Sequence, residues 1–280
     1  MKTIVSIFLL TVAVHYGLAQ SETERKLVIE AKKLYKSDMA SWYGTDIFMA
    51  KFQDKRPRAR GYFSYVEKGK ATCVFFSDDT PRKILASFTF DSTYNINTAV
   101  VDGTEREMNS METDLVAIRT TALEEFQTDK TLFKKYEKTN PNFIPLSDEF
   151  GKRVYILTGP QENGVVIFGN DYLLTFDDQN KLIEKKQLHS NPVITESKGT
   201  GEKVLVTSMH THLPTTGDLI TATDICTLML YCPYTQWKQH IVMSKNFVSI
   251  WTCGKGLAVM PREAWDKIGD MDKYLNKLRN

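Results

Sequence analysis

Lys203-Val204-Leu205-Val206-Thr207-Ser208-Met209 runs straight into His210-Thr211-His212-Leu213-Pro214, and Thr221-Ala222-Thr223-Asp224 follows after a short polar loop. The apolar run alternates little and reads as a buried central strand. Thr221 or Thr223 reads as the cap of a helix running from Asp224 through Tyr231. A strand turns every second side chain to the same face, so His210 and His212 point together. Two imidazoles converging near a carboxylate suit a borderline divalent ion such as zinc. A simpler arrangement also accounts for these residues: two hydrogen-bonded histidines at a strand end, with Thr221 and Asp224 as a helix cap that the helix dipole favours.

Beyond this stretch, strand signals continue toward the C-terminus. Ile241-Val242-Met243-Ser244 and Phe247-Val248-Ser249-Ile250-Trp251 flank a Lys245-Asn246 turn and read as a hairpin. Pro261 starts a last amphipathic helix carrying Trp265, Ile268, Met271, Tyr274 and Leu278. His240 precedes a buried strand and reads as structural, and Tyr231, Tyr234, Trp237 and Trp251 read as core and rim packing. Upstream, residues 153–157, 165–169 and 172–176 read as strands, the last two joined by an Asn170-Asp171 hairpin turn. Residues 181–188 add another strand, on or beside which Glu184 and His189 read as surface groups. Further upstream, helices are expected from Thr23 to about Met39 and from about Ser110 to Gln127. Leu132, Phe133 and Tyr136 extend or restart the second of these, and Thr139-Asn140-Pro141-Asn142 breaks it. Residues 61–65, 71–76 and 84–90 form an antiparallel meander between the two helices.

The first 19 residues read as a targeting segment rather than as fold. Lys2 precedes an apolar run from Ile4 to Val14, and Gly17-Leu18-Ala19 offers small residues at a cleavage position. The expected location is therefore secreted or periplasmic, and no other run is long enough to span a bilayer. A net charge of +2 gives no basic surface for nucleic acid. Four cysteines, Cys73, Cys226, Cys232 and Cys253, allow three pairings, and a local bridge within the last three competes with buried free thiols. The fold class is α+β. The expected division is 1–19 signal peptide, 20–145 an α+β region with an antiparallel sheet plus helix, and 146–280 a second domain.

The order of strand, His-x-His, Pro, polar loop, hydroxyl-x-x-Asp, helix and hairpin resembles the JAB/MPN/JAMM superfamily of metalloproteases over roughly residues 150–255. His210, His212 and Asp224 match that family's metal ligands by type and order, and Thr221 stands where the family has Ser. Pro160-Gln161-Glu162-Asn163-Gly164 is similar to the family's upstream Glu signature. Leu213 separates His212 from Pro214, and the span from His212 to Asp224 is one residue longer than the family norm. The resemblance implies a JAB-like mixed β-sheet flanked by helices in the 146–280 domain, and a zinc-dependent hydrolase of an amide, peptide or isopeptide bond. It implies Glu162 as general base and acid and Thr221 as a group for the developing oxyanion. Asp218 is the substitute ligand if the register differs. The implied partner is a peptide or an extracellular or cell-envelope protein. The competing expectations are a JAB-like binding or scaffold domain without catalysis, and a structural protein whose histidines are incidental.

Overall fold

The computed structural model describes residues 21–197 and 205–279, with side chains through residue 270. The segment expected to be a signal peptide, together with Lys203 and Val204 of the opening run, lies outside the described residues. The fold is mixed α+β, with several antiparallel sheets and, among the described residues, four α-helices. The chain divides into two compact units, residues 32–197 and residues 1–31 with 198–280.

The 32–197 unit starts within helix α1 (Glu22–Lys51), which runs a dozen residues past the expected end. From Ala59 the chain forms the meander β1 (Ala59–Glu67), β2 (Lys70–Ser77) and β3 (Lys83–Phe90), edged by β4 (Val100–Asp102) and β5 (Arg106–Glu107). Helix α1 covers one face of this sheet. Its Ala40, Ile47 and Phe48 pack on Cys73, Phe75 and Phe88, and Phe48 stacks on Phe75 with ring centroids 3.8 Å apart. Gly44 permits that approach, since a Cβ there would stand 2.6 Å from Cys73 Cβ. The opposite face meets α2 (Ser110–Thr128), which begins at a capping box formed by Asn109 and Glu112. Beyond α2 lies a second antiparallel sheet ordered β10 (Leu182–Gln187), β9 (Tyr172–Phe176), β7 (Gly151–Pro160), β6 (Thr139–Asp148). Leu115, Ile118 and Phe126 of α2 share one core with Phe63 and Val74 of the first sheet and Val154, Ile156 and Leu174 of the second. Strand β2 is thus covered on both faces, and every residue from Ala71 to Ser77 is buried.

Four expectations change here. Helix α2 is not extended, because Asp129 Oδ1 takes the backbone N–H groups of Thr131 and Leu132 and the Thr131 hydroxyl, closing a turn that competes with the helix. Thr139–Asn142 is no break but the start of β6, and Pro141 is tolerated there because β6 is an edge strand. Asn170-Asp171 does not close a hairpin. Asn170 takes φ +55° and its side chain binds Thr158 and Lys134, so the chain passes between sheets. β8 (Val165–Phe168) then pairs with β11 (Val193–Glu196), while β9 pairs with β7 and β10. Finally, the boundary expected near residue 145 falls inside β6, which pairs with β7 along its whole length.

In the other unit, β12 (Thr207–Thr211) pairs in parallel with β13 (Gln239–Met243), and α3 (Ala222–Tyr231) makes the crossover that parallel pairing requires. β14 (Phe247–Thr252) and β15 (Gly256–Pro261) continue antiparallel, so the sheet is mixed. Helix α4 (Arg262–Arg279) follows and meets β14 and β15. Cys232, just past α3, is bonded to Cys253, just past β14, with Cα atoms 5.9 Å apart, while Cys73 and Cys226 are buried thiols. Trp237 and Trp251 are buried and Tyr234 is exposed, a core-and-rim arrangement. Strand β12 is not central. It ends the sheet order, and its burial alternates.

Candidate metal centre

That alternation builds the site. Ser208, His210 and His212 turn inward and are buried, whereas Met209, Thr211 and Leu213 are exposed. The His212 N–H donates to the Met243 carbonyl at 2.8 Å, which carries the strand geometry one residue past β12 and keeps both imidazoles on one face. Asp224 arrives from the first turn of α3 and is 1% exposed. The His210 and His212 Nε2 atoms stand 3.1 Å apart. Asp224 Oδ2 lies 3.2 Å from His212 Nε2, and Asp224 Oδ1 lies 3.7 Å from His210 Nε2. His210, His212 and Asp224 thus form a buried group that could hold a metal ion.

The surrounding hydrogen bonds orient the ligands. His212 Nδ1 lies 3.0 Å from the Leu219 carbonyl, which only accepts, so Nδ1 carries the proton and Nε2 turns its lone pair inward. His210 Nδ1 lies 2.9 Å from His240 Nε2, and His240 Nδ1 lies 2.7 Å from Ser208 Oγ. His240 is fully buried, and burial, reinforced by the neighbouring His210, pushes its pKa down to about 3, so its ring is neutral. A neutral ring has one N–H. Placed toward Ser208, it leaves Nε2 to accept from His210 Nδ1–H, and His210 Nε2 then also presents a lone pair. Placed toward His210, it leaves a proton on His210 Nε2, between the two imidazoles. The first arrangement aims two nitrogen lone pairs and a carboxylate at one point, which suits a cation.

Thr221 is the N-cap of α3. Its hydroxyl donates to Asp224 Oδ2 at 2.8 Å and accepts from the Asp224 N–H at 3.1 Å, and the Thr221 N–H donates to the same carboxylate oxygen at 3.0 Å. The hydroxyl implied for an oxyanion is therefore committed to holding Asp224. The cap that the sequence offers as the simpler explanation is present, and the capped carboxylate also faces the two imidazoles. Asp218 is tied instead to Asn246 Nδ2 at 2.9 Å. Glu162 lies in the β7–β8 turn, its side chain 53% exposed and ion-paired with Lys138 at 2.8 Å. Glu184 is exposed on β10. His189 is not the surface residue expected from its strand context: it is buried, with Nδ1 3.5 Å from Asp171 Oδ2. Ser208 and His240 escape sequence reasoning because they join the site only through the parallel pairing of β12 with β13, where Ser208 stands opposite His240.

Among known proteins, no family model, no curated protein and no solved structure matches this chain.

Proposed function

We propose that this chain is an exported zinc-binding hydrolase, with His210, His212 and Asp224 as the zinc ligands and an amide bond of a peptide or extracellular protein as its target. One observation carries the reading: two imidazole nitrogens and one carboxylate converge in a buried site, with His212 Nε2 3.1 Å from His210 Nε2 and 3.2 Å from Asp224 Oδ2, and the other carboxylate oxygen 3.7 Å from His210 Nε2. Ligands bound tetrahedrally at 2.0–2.1 Å stand about 3.3 Å from one another, so these separations match a zinc-sized ion. Octahedral magnesium would need edges of about 2.9 Å, and it favours oxygen donors over imidazole. Zinc bound there would supply a Lewis acid that polarises a carbonyl and acidifies water.

The chain's own residues do the remaining work. Leu219 fixes the His212 tautomer, the Ser208–His240 pair holds His210, and Thr221 holds Asp224 through two hydrogen bonds. Glu162 is the group that this reading requires as proton carrier. The apolar run before residue 19 and the Cys232–Cys253 bridge support an oxidising compartment outside the cytoplasm.

A second reading, a metal-binding scaffold domain without catalysis, is favoured by the exposed Lys138–Glu162 ion pair and by Asp224 being the one carboxylate in its group. The resemblance to the JAB/MPN/JAMM superfamily fits either reading. Zinc loading followed by dialysis separates metal binding from its absence. One zinc per chain is expected in the wild type and none in His210→Ala, and equal content in both overturns the assignment. Hydrolysis of a peptide library that disappears with a chelator and with Glu162→Gln selects the hydrolase; metal binding without hydrolysis selects the scaffold.

A further inference from the structure

Arg119, on α2 in the 32–197 unit, differs from the other arginines held in that unit. Arg153 forks onto Asp148, Arg106 onto Glu112 and Arg58 onto Glu105 and Asp79. Among the described residues, the Arg119 guanidinium makes no hydrogen bond and no ion pair, and its Nε is buried without an acceptor. Its Cζ lies 5.7 Å from the Tyr62 ring centroid and 5.8 Å from that of Phe143, a cation held between two aromatic rings. A Cβ on Gly61 would stand 3.7 Å from Arg119 Nη1. Gly61 and Tyr62 are on β1, and Phe143 is on β6. Each of these strands is the edge of its sheet, and the two run side by side without pairing. The guanidinium therefore lies at the seam where these two sheet edges meet.

The neighbouring groups do not balance its charge. Tyr62 and Cys73 are the groups that act on the Arg119 charge, and both are neutral near pH 7. Asp38, which Tyr62 senses from the other side, is instead hydrogen-bonded to Asn142. A guanidinium with a buried donor that meets no acceptor is stabilised by an anion, and its planar fork matches the two oxygens of a carboxylate. The aromatic walls suit a flat apolar body behind that carboxylate. Inorganic phosphate has no such body to place against the rings.

We propose that the seam between β1 and β6 is a binding site for a small organic carboxylate, held by Arg119 between Tyr62 and Phe143. The site is separate from the metal centre and does not depend on it.

The test is a titration of the full chain with benzoate, acetate and inorganic phosphate, followed by thermal unfolding and calorimetry. Benzoate is expected to bind saturably and more tightly than acetate, with phosphate weakest. Arg119→Met is expected to fold and to lose benzoate affinity by at least about tenfold, and Arg119→Lys, which keeps the charge but not the fork, to lose most of it. No saturable benzoate binding, equal affinity in Arg119→Met, or a preference for phosphate overturns the proposal. So does a marked loss of ligand-free stability in both Arg119→Met and Arg119→Lys, since that assigns the ring clamp a structural role only.

Discussion

Asp224→Asn separates the two jobs of one carboxylate. In α3 the Asp224 side chain closes the capping box, and in the site it faces His212 Nε2 at 3.2 Å and His210 Nε2 at 3.7 Å. An asparagine oxygen still accepts the two Thr221 hydrogen bonds, so only the charge interaction with the helix N-terminus is lost, about 0.5 kcal/mol. The new amide N–H₂ points where the second carboxylate oxygen faced the imidazoles, and it can donate to one of them. Metal-free stability should therefore change by less than about 1 kcal/mol, or roughly 3 °C in unfolding temperature. The response to zinc should change far more. At zinc one hundred times its dissociation constant, the wild type gains about 2.7 kcal/mol, which corresponds to a rise of about 5–10 °C. The variant should show almost none of that rise. Scanning calorimetry on both proteins, with zinc and with chelator, reads both quantities. An equal zinc-dependent rise in the variant would refute Asp224 as a ligand. A large loss in the chelated variant would instead show that the charge serves the fold.

Other expectations concern the frame. Gly44→Val should cost about 1–3 kcal/mol by denaturant titration, because its first added carbon already meets Cys73 Cβ at 2.6 Å; an unchanged midpoint would show that α1 shifts freely. Burial raises the Asp38 carboxyl from 3.8 to about 6, against the Asn142 hydrogen bond that lowers it. The folded state thus holds this proton more tightly than the unfolded chain. Its contribution is fully present below about pH 4 and is lost as pH rises through about 6, amounting to about 3 kcal/mol. Asp38→Asn should flatten that part of the stability–pH curve, and an unaltered curve would place the titration elsewhere. Cys253→Ser opens a loop closed across 21 residues and should cost about 3 kcal/mol in chemical denaturation. A loss below about 1 kcal/mol would mean that the sheet holds α3 in place without the bridge.

Local pattern was enough for much of this protein. The period of two places His210 and His212 on one face, and the spacing Thr221-x-x-Asp224 marks a helix start; both follow from backbone geometry within a few residues. The three strands of the first meander and the helix over 110–128 are legible for the same reason, as is the Lys245-Asn246 turn. Partner choice was not legible. Val165–Phe168 and Tyr172–Phe176 look like a hairpin because they are neighbours in sequence, yet each pairs with strands elsewhere, and the three Asn170 side-chain hydrogen bonds hold the link open. The edge position of β12, its parallel pairing with β13, and the Ser208–His240–His210 chain that follows from it depend on residues about thirty apart in sequence. The same holds for the guanidinium of Arg119, which no local signal distinguishes from a solvated helix arginine. The sequence by itself determined which side chains can act as ligands and which face they share. Only the tertiary structure decided which of them meet, because strand pairing and burial are settled by contacts between segments that carry no record of one another.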